Sequence, residues 1–486
     1  MRAASQWLGD PGSGVRPVVV HPQMLAAGRL PGGPTGHGAR IGPPGPHRPA
    51  TLSRVSRSLY AVLLGTFSLR FSTGLTGALL AFYLADLPSF GGTRVDPMVV
   101  GVFAATFYAA ELLLSPPFGL LSDRWGHHRV MQIGPIFGAF AVILTWATTD
   151  LFLLGFTRFL EGASTAASIP SILGFIAVAT VGNELLRGRM AARFEGATLA
   201  GLGGGLVAAG VLYEGVGPLP GLGRDAFLLN AVLYGVSFLI YRYGVTELPR
   251  EVEATQAPHP GLRRYLDILR SSHVWLLAPT WIALNASIGV WTSQSIFQLV
   301  SEPAPGFRDQ LLMGGFSPAQ ISVGFAVALV VFFAGLAWWG ERFKRFRRTT
   351  IIFIGVIGGA VLVAAGLLLN HSGDLPWFAQ VVFAIGAGAG LFILAGATPA
   401  ALGLLADISE AFPSDRGAIM GLYSVFLALG QIAGSLAGGA AADLRGIDGM
   451  LIATLLLLAL GLLPLARLRS FEHLVDSGTA VASSED

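Results

Sequence analysis

Apolar residues gather in runs of roughly twenty from Leu59 to Leu465, with short polar turns between them. A bilayer core about 30 Å thick is crossed by about 20 apolar residues in helical form, so each run predicts a membrane-spanning helix. Twelve spans fit the pattern, at roughly 58–85, 98–121, 129–148, 151–178, 194–213, 226–241, 274–299, 319–340, 350–370, 376–401, 417–441 and 449–466. The longest internal polar stretch divides them six and six. The predicted fold is an all-α membrane protein of about twelve transmembrane helices in two six-helix pseudo-repeat halves, 55–241 and 274–467. A cytoplasmic linker, 242–273, joins the halves, and a cytoplasmic tail, 468–486, follows them. Residues 1–54 are rich in Gly and Pro, with neither helical periodicity nor an apolar signal core, and read as a disordered tail.

Composition agrees with a lipid solvent. The chain is 53% hydrophobic and 12% charged, whereas a soluble domain carries about 25% charged residues. It has no cysteine, which excludes disulfides, thiolate metal sites and cysteine nucleophiles. The nine histidines fall in tails or predicted loops, His127, His128, His273 and His371 among them. No metal site or cofactor is expected within the membrane. Basic residues crowd the helix ends that share a side with the amino terminus, and only Arg94, Arg224, Arg308 and Arg445 flank the opposite ends. That asymmetry predicts a multi-pass protein of the cell membrane with both termini in the cytoplasm. It also explains the pI near 9.4 without a nucleic-acid partner.

The halves repeat one another. Laying Arg187-Gly188 over Arg416-Gly417 brings Gly201 onto Gly430, Gly205 onto Gly434 and Gly210 onto Gly439. Two six-helix halves related by a repeat are a common transporter plan, with the binding site between them near the midplane.

The turn after the second span reads Gly119-Leu-Leu-Ser-Asp123-Arg124-Trp-Gly126-His-His-Arg129. Gly119 permits close helix approach and Gly126 a tight turn; Asp123 can pair with an arginine or a helix amino terminus. This resembles the loop 2–3 signature of the major facilitator superfamily, although His127 and His128 stand where that family usually has basic residues. A weaker copy, Gly340-Glu341-Arg342-Phe-Lys344-Arg345, follows span 8, and Arg158-Phe-Leu-Glu161-Gly162 is similar to the family's pattern in span 4. Span 5 lacks the Gly-Pro pair of many drug/proton antiporters. The resemblance implies alternating access, with Gly119, Asp123, Arg124, Gly126 and Arg129 in a gating latch. A solvated turn is the plainer alternative.

Charges inside the spans carry the substrate reading. Arg70 lies mid-span in helix 1, on a face with Thr66, Thr73 and Gly77, and Glu111 lies mid-span in helix 2. A charge at the bilayer centre costs at least ~2.5–3.5 kcal/mol, so it faces a cavity or a partner. Thr280, Ser287, Trp291, Gln294 and Gln298 form one polar stripe on span 7. It suits either a wet cavity wall or helix–helix hydrogen bonding. The candidate substrate and coupling residues are Arg70, Glu111, Arg158, Glu161, Trp291, Gln294 and Gln298.

These features predict a secondary active transporter, working as a monomer, that exports a small organic solute at the expense of a proton gradient. Uptake or exchange of an organic anion is the rival. A membrane-embedded enzyme would need clustered acids or a metal site, and the outer loops hold only scattered acids such as Asp86, Glu302 and Asp309. The topology is testable in this cysteine-free chain. Single cysteines at Ala254 and Ala304 are expected to label from opposite sides of the membrane with an impermeant maleimide; labelling of both from one side contradicts the predicted topology.

Overall fold

The computed structural model describes residues 49–247, 274–303, 305–343, 345–410, 416–465 and 467–469. The expected tail up to Arg48, most of the linker and the carboxy-terminal tail beyond Arg469 lie outside the described residues. Helix occupies all twelve expected positions, and among the described residues nine stretches are long and apolar enough to cross a membrane. The amino-terminal half holds α1 (Pro49–Ala85), α2 (Pro97–Trp125), α3 (Ile133–Ala147), α4 (Leu151–Ala179), α5 (Glu184–Glu214) and α6 (Ala226–Leu239). The second half holds α7 (Val274–Val300), α8 (Pro318–Gly340), α9 (Arg348–Asn370) and α10 (Trp377–Leu394, resuming as Ala397–Glu410). Arg416–Leu462 is one helical stretch broken at Arg445 and Gly446, and its arms, 416–444 and 447–462, are α11 and α12. Gly446 takes φ +58°, a left-handed conformation that glycine adopts without steric strain.

Local sequence sets several of the boundaries. Asp150 and Asn183 cap α4 and α5 by accepting from Leu153 N–H and Leu186 N–H, each at 2.9 Å. Ser317 and Gln320 form a capping box ahead of α8, with Pro318 in its first turn. The structure departs from expectation at several places. Helix α1 begins at Pro49, nine positions before the expected span, so the last residues of the expected disordered tail 1–54 are helical. Helix α5 begins ten positions before the expected span, because the Asn183 cap starts it at Glu184. At the other end of α5 a two-residue antiparallel ribbon pairs Gly215–Val216 with Leu219–Pro220, turned by Gly215 and Gly217 at positive φ.

Helix ends carrying Arg124, Arg187, Arg242, Arg342 and Arg416 share one side, here the basic end; the opposite is the far end. Repeat-related glycines do equivalent jobs in the two halves. Gly201 and Gly205 bring α5 onto the α1 backbone at Phe67 and Phe71, while Gly430 and Gly434 bring α11 onto α7 at Ile282 and Ala286. The third pair joins the halves: Gly210 of α5 lies against Pro318 of α8, and Gly439 of α11 against Pro97 and Met98 of α2. Lipid gives helices no hydrophobic reason to associate, so close backbone approach and buried hydrogen bonds must hold them. Asn230 of α6 supplies one such bond, donating to Thr76 Oγ1 of α1 at 2.7 Å.

The hydrogen bonds between halves are placed toward the far end. Gly210 N–H donates to Ser322 Oγ at 2.9 Å, Ala319 N–H to Glu214 Oε2 at 2.8 Å, and Gln294 Nε2 to the Pro97 carbonyl at 2.9 Å. One apolar core there draws on both halves, uniting Leu75, Leu79, Phe82 and Phe103 with Ile296, Phe297 and Ile321. Toward the basic end the halves keep separate cores, one around Val62, Ile172 and Tyr241 and another around Trp281, Trp339 and Phe426. Helix α5 is largely exposed from Leu185 to Ala200 and better buried from Gly201 onward. Among the described residues, the core and hydrogen bonds that join the halves thus gather toward the far end.

The glycine contacts make a stability prediction. Gly205→Leu and Gly434→Leu each force a side chain into neighbouring backbone, an overpacking worth about 1–3 kcal/mol. Both are expected to lower the apparent Tm and the monodisperse fraction on size-exclusion chromatography. Gly196→Leu, at a position with open space around it, is expected to leave both unchanged. Equal behaviour of the three variants contradicts the packing assignment.

Candidate functional site

Four helices of the first half, α1, α2, α4 and α5, carry charge within their length. Arg70 on α1 is half-buried, and its Cβ meets α5 at Gly201. Its guanidinium lies within electrostatic reach of Glu111 on α2 and Glu195 on α5. Arg70 Nε is buried and makes no hydrogen bond among the described residues, so the side chain is not locked through it onto either carboxylate. Thr66 and Thr73, which share its face, donate to the carbonyls of Val62 and Leu69 on their own helix. Their hydroxyl hydrogens are thereby committed to their own helix.

The second pair is separate from the first. Arg158 and Glu161, one turn apart on α4, form a buried ion pair, and the Arg158 guanidinium sits 5.0 Å from the centre of the Phe107 ring. Glu161 Oε1 is buried without a hydrogen-bond partner among the described residues. Gly162 brings α4 against the Phe107 carbonyl and Ala110 of α2, which places the pair beside α2. Glu111 has Arg70 as its charged neighbour. It is partly buried, where Glu161 is 2% exposed. Tyr108, one turn before Glu111 on α2, reaches the Thr292 hydroxyl of α7, and Thr292 in turn donates to Gln431 Oε1 of α11 at 3.2 Å. Tyr108 thus touches the opposite half on the same helical face as Glu111.

The polar stripe of α7 is engaged with neighbouring helices. Thr280 donates to the Gly461 carbonyl and Trp291 Nε1 to Thr454 Oγ1, both at 2.9 Å, seating α7 on the α12 side. Ser287 bonds within its own helix. Gln294 closes the far end through Pro97 and accepts from Gln298 at 3.5 Å. Of the two readings open to this stripe, the geometry matches helix–helix hydrogen bonding. An apolar crevice of ≈ 680 Å³ separates α5 from α8 below their far-end contact, lined by Phe71, Gly203, Val207, Leu229, Ala326 and Leu329 among others.

At the basic end the turn after α2 is tightly folded. Gly126 takes φ +94°, and Gly119 faces Pro170 of α4. Asp123 and Arg124 are exposed at the end of α2, and Arg129 pairs with Glu247 at 3.5 Å. His127 and His128 correct the expectation of loop histidines. Both are buried in the single helical turn His127–Val130 ahead of α3. His127 Nδ1 lies 2.5 Å from Ser122 Oγ and its ring packs on Gly174, while His128 Nε2 lies 2.9 Å from the Tyr241 carbonyl. The left-handed Gly126 folds this turn back onto α4 and α6, and that return buries the imidazoles.

Sequence reasoning missed Glu195 and Tyr108. Glu195 stands beside Arg193 at the start of the expected fifth span and reads as a solvated flank. Tyr108 carried one available signal, its spacing of one turn from Glu111.

Comparison with known proteins agrees with this architecture. The family model described as Major Facilitator Superfamily matches residues 62–401. The chain is 23% identical to "Multidrug resistance protein 2" of Bacillus subtilis (strain 168) over 348 residues, covering 71% of this chain and 80% of that protein. It is 21% identical to "Quinolone resistance protein NorA" of Staphylococcus aureus (strain MSSA476), covering 80% of this chain and 91% of that one. The crystal structure of the nucleoside transporter NupG superposes with a TM-score of 0.62 at 13% identity, over 85% of this chain and 98% of that chain. A match over most of the chain, on a helical scaffold of this kind, is that of a multi-pass membrane transporter of small molecules rather than an enzyme: the protein belongs to the Major Facilitator Superfamily.

Proposed function

We propose that this transporter exports a small organic cation in exchange for protons, with its basic end in the cytoplasm. The observation that carries the reading is the charge balance among the in-span side chains of the first half. Arg70 and Arg158 face three carboxylates, Glu111, Glu161 and Glu195. Arg158 and Glu161 satisfy each other in a dry setting. Among the described residues Arg70 then answers both Glu111 and Glu195, and one negative charge is left over. In a low-dielectric cavity that excess favours either a bound proton or a bound cation.

Glu111 suits the proton-carrying role for a geometric reason. It is less buried than Glu161, has no hydrogen-bonded partner among the described residues, and lies one turn from the contact Tyr108 makes with the other half. Glu161 is sealed beside Arg158. Binding the cation and binding the proton then become mutually exclusive at one carboxylate. That exclusivity is what an exchanger requires. The organic-anion reading is weaker, because both guanidiniums already have carboxylates to answer. The positive-inside rule assigns the basic end to the cytoplasm. Export is supported by the resistance proteins among the relatives, whereas the likeness to the nucleoside transporter extends to the fold alone.

In inside-out vesicles, Glu111→Gln is expected to abolish solute accumulation under an imposed pH gradient while preserving solute counterflow down its own gradient. Accumulation at the wild-type level would mean that Glu111 carries no proton. Arg158→Ala is expected to impair both modes, because it leaves Glu161 as an unpaired buried charge.

A further inference from the structure

We infer that Glu195 is the residue that admits the cationic solute at the basic-end mouth of the cavity, acting ahead of Glu111; this rests on the cation-export reading above. Helix α5 runs unbroken from Glu184, so Glu195 stands about three turns inside it and not in a loop. Its side chain is exposed, and so are Ala191, Ala192 and Gly196 around it. No space-filling neighbour among the described residues covers Gly188 or Gly196 on the same stretch. Glu195 thus lies on an uncovered stretch of α5 near the basic end.

Among the described residues, its charged neighbour of the opposite sign is Arg70. Arg193, two residues earlier, is turned away to Tyr60 of α1, with its guanidinium 3.3 Å from the phenol oxygen and 5.8 Å from the ring centre. Gly201 fixes the level at which α1 and α5 meet, and Glu195 lies six residues nearer the basic end, about 9 Å along the helix. Arg70 therefore has two carboxylates within electrostatic reach, Glu195 nearer the basic end and Glu111 on α2. With Nε free of any hydrogen bond to the described residues, its guanidinium can answer either. One turn beyond Glu195, Thr198 Oγ1 is likewise buried and unpartnered among them, leaving a second unmet hydrogen-bonding group on the approach.

The mechanism is an exchange of counter-charges. An entering cation takes Glu195, Arg70 turns toward Glu111, and the solute follows inward as Arg70 returns to Glu195. A tethered arginine thereby compensates one carboxylate at a time, and the other holds a proton or the solute. No covalent step is involved.

Two measurements test this together. In the first, Ala192→Cys places a reporter thiol one turn before Glu195, and its reaction with a cationic and an anionic methanethiosulfonate is compared after correction for their rates with a free thiol. The cationic reagent is expected to be favoured on the order of tenfold, and Glu195→Gln is expected to remove that preference. In the second, ethidium uptake into inside-out vesicles is followed. Glu195→Gln is expected to raise KM on the order of tenfold with kcat little changed, and Glu195→Asp to recover most of the loss. A reporter preference that survives Glu195→Gln, or an unmoved KM, overturns the admission role. A raised KM combined with normal accumulation by Glu111→Gln leaves the admission role standing and overturns the coupling role of Glu111. A wild-type protein that carries no ethidium or other organic cation overturns both.

Discussion

An ionised side chain in a hydrocarbon layer must find a partner or water, and the interior of this transporter is arranged around that requirement. Arg158 and Glu161 meet it as a closed pair on one helix, held against α2 by Gly162. Arg70 meets it as an open arrangement, facing carboxylates from two other helices without a hydrogen bond at Nε among the described residues. The closed pair resists rearrangement, since breaking a buried ion pair costs about 3–5 kcal/mol. The open arrangement has no such barrier. On the proposed reading, the difference separates a structural use of buried charge from a transporting one within a single six-helix half.

The scaffold makes the open arrangement tolerable by closing everything on its far side. Glycines at repeat-related positions give α1–α5 and α7–α11 the same close approach, and the third pair, Gly210 and Gly439, meets the opposite half. Among the described residues the far end has a core that draws on both halves, whereas the basic end has separate cores. Alternating access needs those far-end contacts to be breakable. They include weak polar links: Ser322 with Gly210, Glu214 with the first turn of α8, and Gln294 with Pro97. The polar stripe of α7 thus contributes to closure, and its tryptophan binds α7 to α12.

The spans, the two halves and the turn after α2 were legible in the sequence because each rests on local information: apolar length, a repeated spacing, a glycine at positive φ. What escaped depends on which helix lies opposite. Glu195 looked like a flank because nothing in its own segment reveals that α1 sets Arg70 nearby. The polar face of α7 was legible as a face, but its partner was not, since cavity and neighbouring helix demand the same residue types. His127 and His128 looked solvated because the sequence does not show that Gly126 folds their turn back onto α4 and α6.

Charge balance in the cavity makes the most exposed claim: a single surplus carboxylate should hold either one monovalent cation or one proton. Proteoliposomes loaded with a pH-sensitive dye allow ethidium and proton fluxes to be recorded together across an otherwise tight membrane. Movement of ethidium is expected to drive protons in the opposite direction in equal number, at a rate insensitive to membrane potential. Ethidium transport with no accompanying change in internal pH would contradict exchange at a shared carboxylate.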